Sequence, residues 1–309
     1  MAKFILKRIL YMLVVLFCVV TLTFFLVHSI PGDPITSIVQ DLPMETRDLY
    51  LQKYGFDQPL IVQYVKFIQQ LFTGDLGQSL RYPGRQVVDI VANYAPVSGI
   101  IGGIALAIGF AVGILLGIIA ALNRNRWPDR LVMVLALLGT TIPTFVFAAV
   151  LQYVFTVSIP LFPTTGWGTV GHLVLPVACM CVGPLASYAR YMRSSVLDIT
   201  NQDFILTAEA KGVSSFRIVS RHIFRNSFLP CITMICTSIA GIFSGSFIIE
   251  SIFAIPGLGK YFITAINDRD YSVVLGLNII FTGTYILSIL VCDILLAIID
   301  PRIRIAEEN

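Results

Sequence analysis

"FILTAEAKGVSSFRIVSRHIFRNSFLP", residues 204–230, separates two strongly apolar segments in the second half of the chain. Arg217, Arg221 and Arg225 recur in it at four-residue spacing, which places them on one stripe of an α-helix. Gly212 precedes this stripe and would allow a turn and the close approach of another backbone. The stretch therefore predicts a basic surface helix between two segments that are compatible with a lipid bilayer.

The composition around this stretch is that of a membrane protein. Of 309 residues, 56% are hydrophobic and 13% are charged, and the mean hydropathy is +0.84. Soluble domains carry about 25% charged residues. Six runs reach the length of about 20 apolar residues that crosses about 30 Å of hydrocarbon. The predicted spans are approximately 9–29, 97–122, 131–157, 172–192, 229–250 and 273–299.

The distribution of Lys and Arg predicts the orientation of these spans. Three precede the first span, three lie at 123–130, six lie at 190–225, and two follow the last span. The other seven lie on the opposite side, mostly in a long segment, and long translocated segments weigh little in the positive-inside rule. We expect both termini and residues 204–230 on the cytoplasmic side. The net charge of +3 follows from this topology and does not indicate a nucleic-acid partner.

The first span is predicted to be a retained anchor. Lys3, Lys7 and Arg8 precede an apolar run from Ile9 to Val27, which is longer than the core of a cleaved signal peptide. The sequence that follows, His28-Ser29-Ile30-Pro31, is a poor cleavage site.

Small residues and prolines mark the spans. Gly109, Gly113 and Gly117, flanked by Ala105 and Ala121, recur every four residues, a spacing that lets helix backbones approach closely in a bilayer. We interpret this row as a helix-packing surface. Intramembrane proline frees backbone carbonyls, which is tolerated beside other helices or a wet cavity. The prolines in question are Pro143, Pro176 and Pro184.

Ionisable residues are scarce inside the spans. Glu250 lies at the predicted outer end of the fifth span, and Asp293 lies two turns from the inner end of the sixth. A charge near the bilayer centre costs about 2.5–3.5 kcal/mol on insertion scales, and ion relays show several such residues. The pattern disfavours an ion-coupled secondary transporter. We expect Asp293 to pair with a basic residue.

No motif indicates catalysis, a cofactor or a metal. "GWGTVG" at 166–171 lies in a predicted loop between spans, where a dinucleotide site would need a strand-to-helix turn. "GLGK" at 257–260 lacks the first Gly and the Ser/Thr of a phosphate loop. The six cysteines, at 18, 179, 181, 231, 236 and 292, all lie in predicted spans without metal-ligand spacing, and we interpret them as small buried hydrophobes.

Two interpretations of residues 204–230 remain open from the residues themselves. One is a basic helix lying on anionic lipid headgroups. The other is a docking element for a soluble partner, with Ala208, Glu209, Ala210 and Gly212 inserted into the partner's surface.

A resemblance to a known family favours the second interpretation. "AEAKG" at 208–212, followed by His222 and then "RNSFLP" at 225–230, resembles the cytoplasmic motif of importer permeases of the ATP-binding-cassette (ABC) class. The spacing is similar to that of the dipeptide, oligopeptide and nickel branch. The general motif of the class, Glu-Ala-Ala with Gly three residues later, is not kept literally.

The resemblance extends along nearly the whole chain, in the order of the first (B-type) permease subunit of that branch. The segments that carry it are "HSIPGDP" (28–34), "KYGFDQPLIVQYVKF" (53–67), "GDLGQSL" (74–80), "FPTTGWG" (162–168), "LASYARYMRSSVLD" (185–198), "ESIFAIPGLGKYFITAINDRDY" (250–271) and "DILLAIIDPRIR" (293–304).

The resemblance implies an all-α integral membrane protein with six transmembrane helices and the type I ABC importer permease fold. It implies an N-terminal helix at 1–30, an extracytoplasmic segment at 31–93, a permease core at 94–300 with a cytoplasmic coupling region at 193–228, and a tail at 301–309. The implied partners are a homologous second permease, two cytoplasmic ATPase subunits, an extracytoplasmic binding protein and a peptide substrate. The implied location is the cytoplasmic membrane of a bacterium or archaeon.

Three sets of residues follow from the motifs as expected functional positions. The ATPase-docking set is Thr207, Ala208, Glu209, Ala210, Lys211, Gly212, Val213, Ser214 and Ser215, and the set supporting the coupling helix is Arg217, Arg221, His222, Arg225, Asn226 and Pro230. The outer-gate set is Glu250, Pro256, Gly257, Gly259 and Asp270. Within the resemblance, nickel chelates, glutathione and murein peptides are alternative substrates to short peptides.

Overall fold

A computed structural model describes residues 2–29, 48–49, 51–52, 55–244 and 247–299. Within these ranges the regular structure is helical apart from one isolated antiparallel bridge, Gln78 to Gln86, so the predicted all-α class is confirmed. The predicted tail 301–309 and the beginning of the predicted segment 31–93 lie outside the described residues. The helices are α1 (Ala2–Ser29), α2 (Leu60–Phe72), α3 (Val87–Leu122), α4 (Trp127–Thr141), α5 (Thr144–Gln152), α6 (Val170–Thr200), α7 (Asp203–Ala210), α8 (Phe224–Ser244), α9 (Phe247–Ile252), α10 (Leu258–Asn267) and α11 (Tyr271–Ile299).

Four of the described helices, α1, α3, α6 and α11, are long and apolar enough to cross a membrane. They correspond to the predicted spans 9–29, 97–122, 172–192 and 273–299. The fifth predicted span, 229–250, corresponds to α8 followed by the short α9, with residues 245–246 outside the described ranges.

The predicted span at 131–157 corresponds to two helices with a break between them. The helix ends at Thr141 and resumes at Thr144 with a change of direction of 99°, so α4 and α5 form a bent span or a re-entrant loop. Pro143 has no N–H to continue the helical hydrogen bonds, and the residue before a proline avoids the helical region. Ile142 accordingly has an extended ψ of 122°. In contrast, α6 continues as one helix through Pro176 and Pro184.

The glycine row of α3 packs on the backbone of α6. A Cβ atom on Gly113 would lie 2.7 Å from the carbonyl oxygen of Leu185, and one on Gly117 would lie 2.6 Å from that of Ala189. Gly109 would meet the carbonyl oxygen of Cys181 at 2.9 Å. These distances exclude any side chain without a shift of one helix. The sequence thus places three glycines where the two backbones are in contact.

The contacts define the relative directions of the long helices. Because Gly109 meets residues 181–185 and Gly117 meets residues 189–193, α3 and α6 run parallel. Gly276 near the start of α11 packs against Val87 at the start of α3. α1 runs antiparallel to α11, since Arg8 pairs with Asp293 and Thr23 accepts a 2.6 Å hydrogen bond from Asn278. The start of α1 and the ends of α3, α6 and α11 therefore lie at one end of the bundle.

We call this the basic end, because it holds the Arg-rich turn 123–126 and the loop 201–223. The opposite end, which holds Glu250 and Asp270, is called the carboxylate end. Arg8 Nε lies 3.4 Å from Asp293 Oδ2, which confirms the predicted basic partner of Asp293.

The cysteines are not all buried as predicted. Cys179, Cys231 and Cys292 are buried and Cys181 is half-buried, but Cys18 is exposed on α1. It shares that surface with Leu22 and Leu26, which are also exposed. This side of α1 has no neighbour among the described helices because α1 contacts the bundle through Phe24 and Val27. The side chain of Cys236 lies outside the described residues.

Candidate functional site

The loop at the basic end is not the single helix that the sequence predicts. α7 ends at Ala210, Gly212 takes the left-handed conformation with φ of +72°, and residues 215–217 form one helical turn. Residues 218–223 then form a π-helical segment that leads into α8. The turn predicted at Gly212 is confirmed, because the Gly212 N–H donates to the Glu209 oxygen and the Val213 N–H donates to the Ala208 oxygen.

Four apolar side chains hold this loop on the bundle. Ile205 and Ala208 of α7 and Ile218 and Ile223 of the π-helical segment are buried in a cluster with residues of α3, α6 and α8. This contradicts part of the predicted docking surface, because Ala208 faces the bundle and is not available to a partner. Helical periodicity explains the difference, since Ile205 and Ala208 are three residues apart and share one face.

The rest of the predicted docking set is exposed. Thr207, Glu209, Ala210, Lys211, Gly212 and Ser214 lie on the surface, and Val213 is half-buried. The side chain of Phe216 is 83% exposed, which is unusual because phenylalanine is usually buried in a protein. The side chain of Ser215 lies outside the described residues. The loop therefore presents a small-residue turn and an aromatic ring outward from an apolar anchor.

The basic residues that follow do not pack as a support. Arg217, Arg221, Arg225 and Asn226 are exposed, and His222 is half-buried. The Asn226 side-chain amide donates to the His222 carbonyl oxygen at 2.6 Å. The π-helical segment interrupts the regular stripe that their spacing predicts, because a π-helix has more residues per turn than an α-helix. The side chain of Pro230 lies outside the described residues.

An ion pair that the sequence analysis missed fixes the α3–α4 turn to α6. Asp129, 3% exposed, receives Arg193 Nε at 2.5 Å on one oxygen and an Arg193 terminal nitrogen at 2.7 Å on the other. The backbone N–H of Asn125 donates to the same carboxylate at 2.9 Å. The two residues are 64 positions apart, so no local pattern signals the contact.

At the carboxylate end, Glu250 is 2% exposed and lies inside the packing of α3, α9 and α10. Its carboxylate accepts hydrogen bonds from the Ser98 hydroxyl at 2.7 Å and from the Lys260 backbone N–H at 2.8 Å. Ser98 in turn accepts the Leu258 N–H at 2.8 Å. The carboxylate thus caps the N-terminus of α10, where backbone N–H groups favour negative charge.

This arrangement explains the "GLGK" segment. A Cβ atom on Gly257 would collide with the Glu250 carboxyl group, and one on Gly259 would lie 3.0 Å from its Oε2. The two glycines leave room for an anion at a helix N-terminus, as in phosphate loops, but the anion is a side chain of the same protein. Pro256, also in the predicted gate set, is half-buried beside them.

Asp270 is the second buried carboxylate at this end, also 2% exposed, and it immediately precedes α11. It accepts the Ser79 hydroxyl and the Leu80 backbone N–H, the latter at 3.0 Å. Its carboxylate therefore ties the segment before α3 to the start of α11. The predicted gate carboxylates are both directed into the protein, where they join elements that are distant in sequence.

The glycines of the "GWGTVG" segment have a structural position in the turn that precedes α6. Gly166 and Gly168 have φ of +115° and +118° and form the turn before α6. Among the described residues, no group of three His, Cys, Asp or Glu side chains could hold a metal ion.

Comparison with protein families identifies the chain. The model of the binding-protein-dependent transport system inner membrane component matches residues 113–305, and the model of the N-terminal region of such components matches residues 1–83. The chain belongs to this family. The similarity to ABC importer permeases expected from its motifs is thereby confirmed.

Several relatives align with this transport component along its whole length. The chain is 40% identical to the dipeptide transport system permease protein DppB of Bacillus subtilis (strain 168), with 100% of both chains covered. It is 41% identical to the oligopeptide transport system permease protein OppB of Haemophilus influenzae, over 98% of this chain and 100% of the relative. Identity to OppB of Escherichia coli (strain K12) is 37%, over 98% and 100%.

Proposed function

We propose that the chain is the permease subunit of an ABC importer for dipeptides and oligopeptides. The observation that carries the proposal is its similarity, over the whole length, to relatives that are named as permeases of dipeptide and oligopeptide transport systems. It would form the translocation path with a homologous second permease in the cytoplasmic membrane. The chain itself would be non-catalytic, and two separate ATPase subunits would hydrolyse ATP.

The basic end is the proposed cytoplasmic end. It gathers the start of α1 with three Lys and Arg residues, the turn 123–126 with two and the loop 201–223 with three. Positive residues are retained on the cytoplasmic side of membrane proteins. Both termini are thus assigned to the cytoplasm, and the carboxylate end is assigned to the outer side, where a binding protein would deliver the substrate.

The loop 207–215 is the proposed ATPase-docking element. Its turn is small and exposed around Ala210 and Gly212, and nothing lies within 4 Å of the position of a Gly212 Cβ atom. Its anchor, in contrast, is buried through Ile205 and Ala208. A rigid protrusion with a small tip suits insertion into a cleft of a soluble partner. A helix on lipid headgroups would instead be expected to expose one continuous apolar stripe.

The proposed gate is a segment rather than a pair of side chains. Glu250 and Asp270 fasten α9, α10 and the start of α11 to α3 and the segment 78–82. Movement of one helix would therefore carry the others, which suits a gate that opens as a unit. Cysteines at the exposed positions Ile263 and Ile266 should then react with impermeant thiol reagents to a degree that depends on bound nucleotide. Equal reactivity in every nucleotide state would exclude the gate.

The docking proposal is tested by Gly212→Trp in the complete reconstituted transporter. We expect the bulky ring at the tip to block docking, and so to abolish peptide uptake and the ATPase activity that substrate stimulates. Gly212→Asn is the matched control, because Asn tolerates a left-handed backbone and is small. Unchanged stimulated ATPase activity in the Trp variant would overturn the docking assignment.

Substrate is tested separately with the binding protein and both permeases present. Uptake of labelled dipeptides or oligopeptides supports the proposal. Uptake of nickel chelates, glutathione or murein peptides without uptake of short peptides would replace the substrate assignment and leave the machinery intact. Transport by this chain alone along an ion gradient would instead indicate a secondary transporter.

A further inference from the structure

The exposed face of α6 near the basic end is more polar than those of α1 and α4. On α1 the exposed residues at this end include Leu6 and Leu10 beside Lys7, and on α4 they include Leu131, Val134 and Leu138. On α6 the corresponding surface carries two serine hydroxyls, a guanidinium, a phenol and a carboxylate. These residues are Ser187, Arg190, Tyr191, Ser194 and Asp198.

Their spacing makes this face continuous. Positions 187, 190, 191, 194 and 198 follow the i, i+3, i+4, i+7 and i+11 pattern of one helix side. Together with Met234 of α8 they line a groove of about 620 Å³. The opposite side of α6 is occupied by the glycine row of α3, so the groove opens away from the core of the subunit.

The two charges in the groove are available for a ligand. Arg193, one turn from Arg190, is held by Asp129 in two hydrogen bonds. In contrast, neither Arg190 nor Asp198 has an ion-pair partner within the part of the chain that the structure describes. Both side chains are exposed. The arginine thus keeps all its donors, which match a carboxylate in planar, bidentate geometry.

Ser187, Arg190 and Tyr191 lie within the predicted span 172–192, and Asp198 lies beyond its cytoplasmic end. Polar and charged groups on a membrane span face a protein interior or a water-filled path, because hydrocarbon offers them no hydrogen bonds. Eight helical steps of 1.5 Å separate Arg190 from Asp198, which is about 12 Å along α6. An extended chain covers about 3.3–3.6 Å per residue. A cation and an anion at that separation fit the two ends of a peptide of about three or four residues.

We propose that this groove is a substrate-contact site at the cytoplasmic mouth of the translocation path. Arg190 binds the C-terminal carboxylate of the transported peptide, and Asp198 binds its N-terminal ammonium group. The assignment rests on the proposed function as a peptide permease. It places substrate recognition within a subunit whose spans show no ionisable residue at their centres.

The test uses the full transporter in inside-out vesicles, so that peptide added outside reaches the groove without the binding protein. Ser194→Cys places a thiol in the groove of a chain that also carries Cys18→Ser, and an impermeant maleimide labels it. A tetrapeptide with free ends should slow the labelling. The same peptide with an amidated C-terminus or an acetylated N-terminus should protect at about tenfold higher concentration, because one charged hydrogen bond is lost.

Variants of the two charges separate contact from structure. Arg190→Gln should raise the half-protecting concentration of the free peptide by about tenfold and leave that of the amidated peptide unchanged. Arg190→Lys should recover part of the difference. Ser220→Cys, an exposed serine of the loop outside the groove, is the labelling control and should show no protection.

Three outcomes would overturn the site. Labelling that peptide never slows would exclude substrate binding. A thiol that becomes unreactive only when the second permease is present would make the groove an interface between permeases. Protection by anionic lipid vesicles with no effect of peptide would make Arg190 a headgroup site. Peptide uptake by the same unaltered complex in right-side-out vesicles, with the binding protein and ATP supplied, shows that the proposed function holds, so failure of the groove and failure of the function are distinguishable.

Discussion

At the carboxylate end, Glu250 and Asp270 are buried and saturated by hydroxyl and backbone N–H groups of the same chain. At the basic end, Glu209, Lys211 and Arg217 are exposed on a loop that a few apolar side chains anchor. Acidic residues that look alike in the sequence thus hold the fold together at one end and remain available for a partner at the other. The difference indicates where stability and where assembly should respond to mutation.

The largest difference in unfolding free energy is expected between two single variants, Glu250→Ala and Glu209→Ala. Removing the Glu250 carboxylate leaves Ser98 and the Lys260 N–H without their acceptor inside the protein, which should cost about 3 kcal/mol or more of unfolding free energy. Glu209→Ala should leave stability unchanged, because surface changes are usually small. Thermal unfolding of the detergent-purified transporter measures both. Equal melting temperatures for the two variants would abolish the contrast between the ends.

A smaller effect on stability is expected from the ion pair between Asp129 and Arg193, which lies at the basic end. In a double-mutant cycle of Asp129→Ala and Arg193→Ala, the coupling energy should be about 2 kcal/mol, because the pair is bidentate and mostly shielded from water. The matched cycle on Asp198→Ala and Arg190→Ala should give no coupling, since no ion pair joins these two residues. A coupling near zero for Asp129 and Arg193 would show that the turn is not fixed by this contact.

The loop tip should respond locally to Gly212→Ala. A Cβ atom at φ of +72° costs about 1 kcal/mol, so the turn should open more often and the Val213 amide should exchange with solvent about fivefold faster. Gly212→Asn should exchange nearly as slowly as the unaltered chain. The melting temperature of the whole subunit should stay constant. An Ala variant with unaltered exchange would show that the left-handed turn does not hold the tip.

The smallest effect, and one of opposite sign, is expected from Arg269→Gly. Arg269 has φ of +55° and ends α10, where its N–H donates to the Ile266 oxygen. Glycine would relieve the left-handed strain, partly offset by the greater freedom of the unfolded chain, for a net gain of about 0.5 kcal/mol. A slightly higher melting temperature is the expected result. A decrease would mean that the Arg269 side chain contributes more than its backbone strain costs.

The long spans and the charged loop 201–223 were accessible to sequence reasoning because their signals are local. Apolar length predicted α1, α3, α6 and α11, and the four-residue spacing of Gly109, Gly113 and Gly117 predicted a close helix contact. The break at Pro143 was within reach of the same reasoning, since Ile142 precedes a proline, but the strong hydropathy on both sides concealed it. The inward direction of Ala208 could not be predicted from local patterns, because it depends on which face of α7 packs against the bundle.

The sequence by itself determined that this protein is a helical membrane component and where its charged loop would emerge. Hydropathy, Lys and Arg position, and short motifs are properties of neighbouring residues. Only the tertiary structure decided that Glu250 and Asp270 join distant elements inside the protein and that one face of α6 forms a groove. It also decided that Arg193 is paired with Asp129, whereas Arg190 has no ion-pair partner among the residues that the structure describes. Those properties depend on contacts between residues that are tens to hundreds of positions apart, and helix packing alone brings them together.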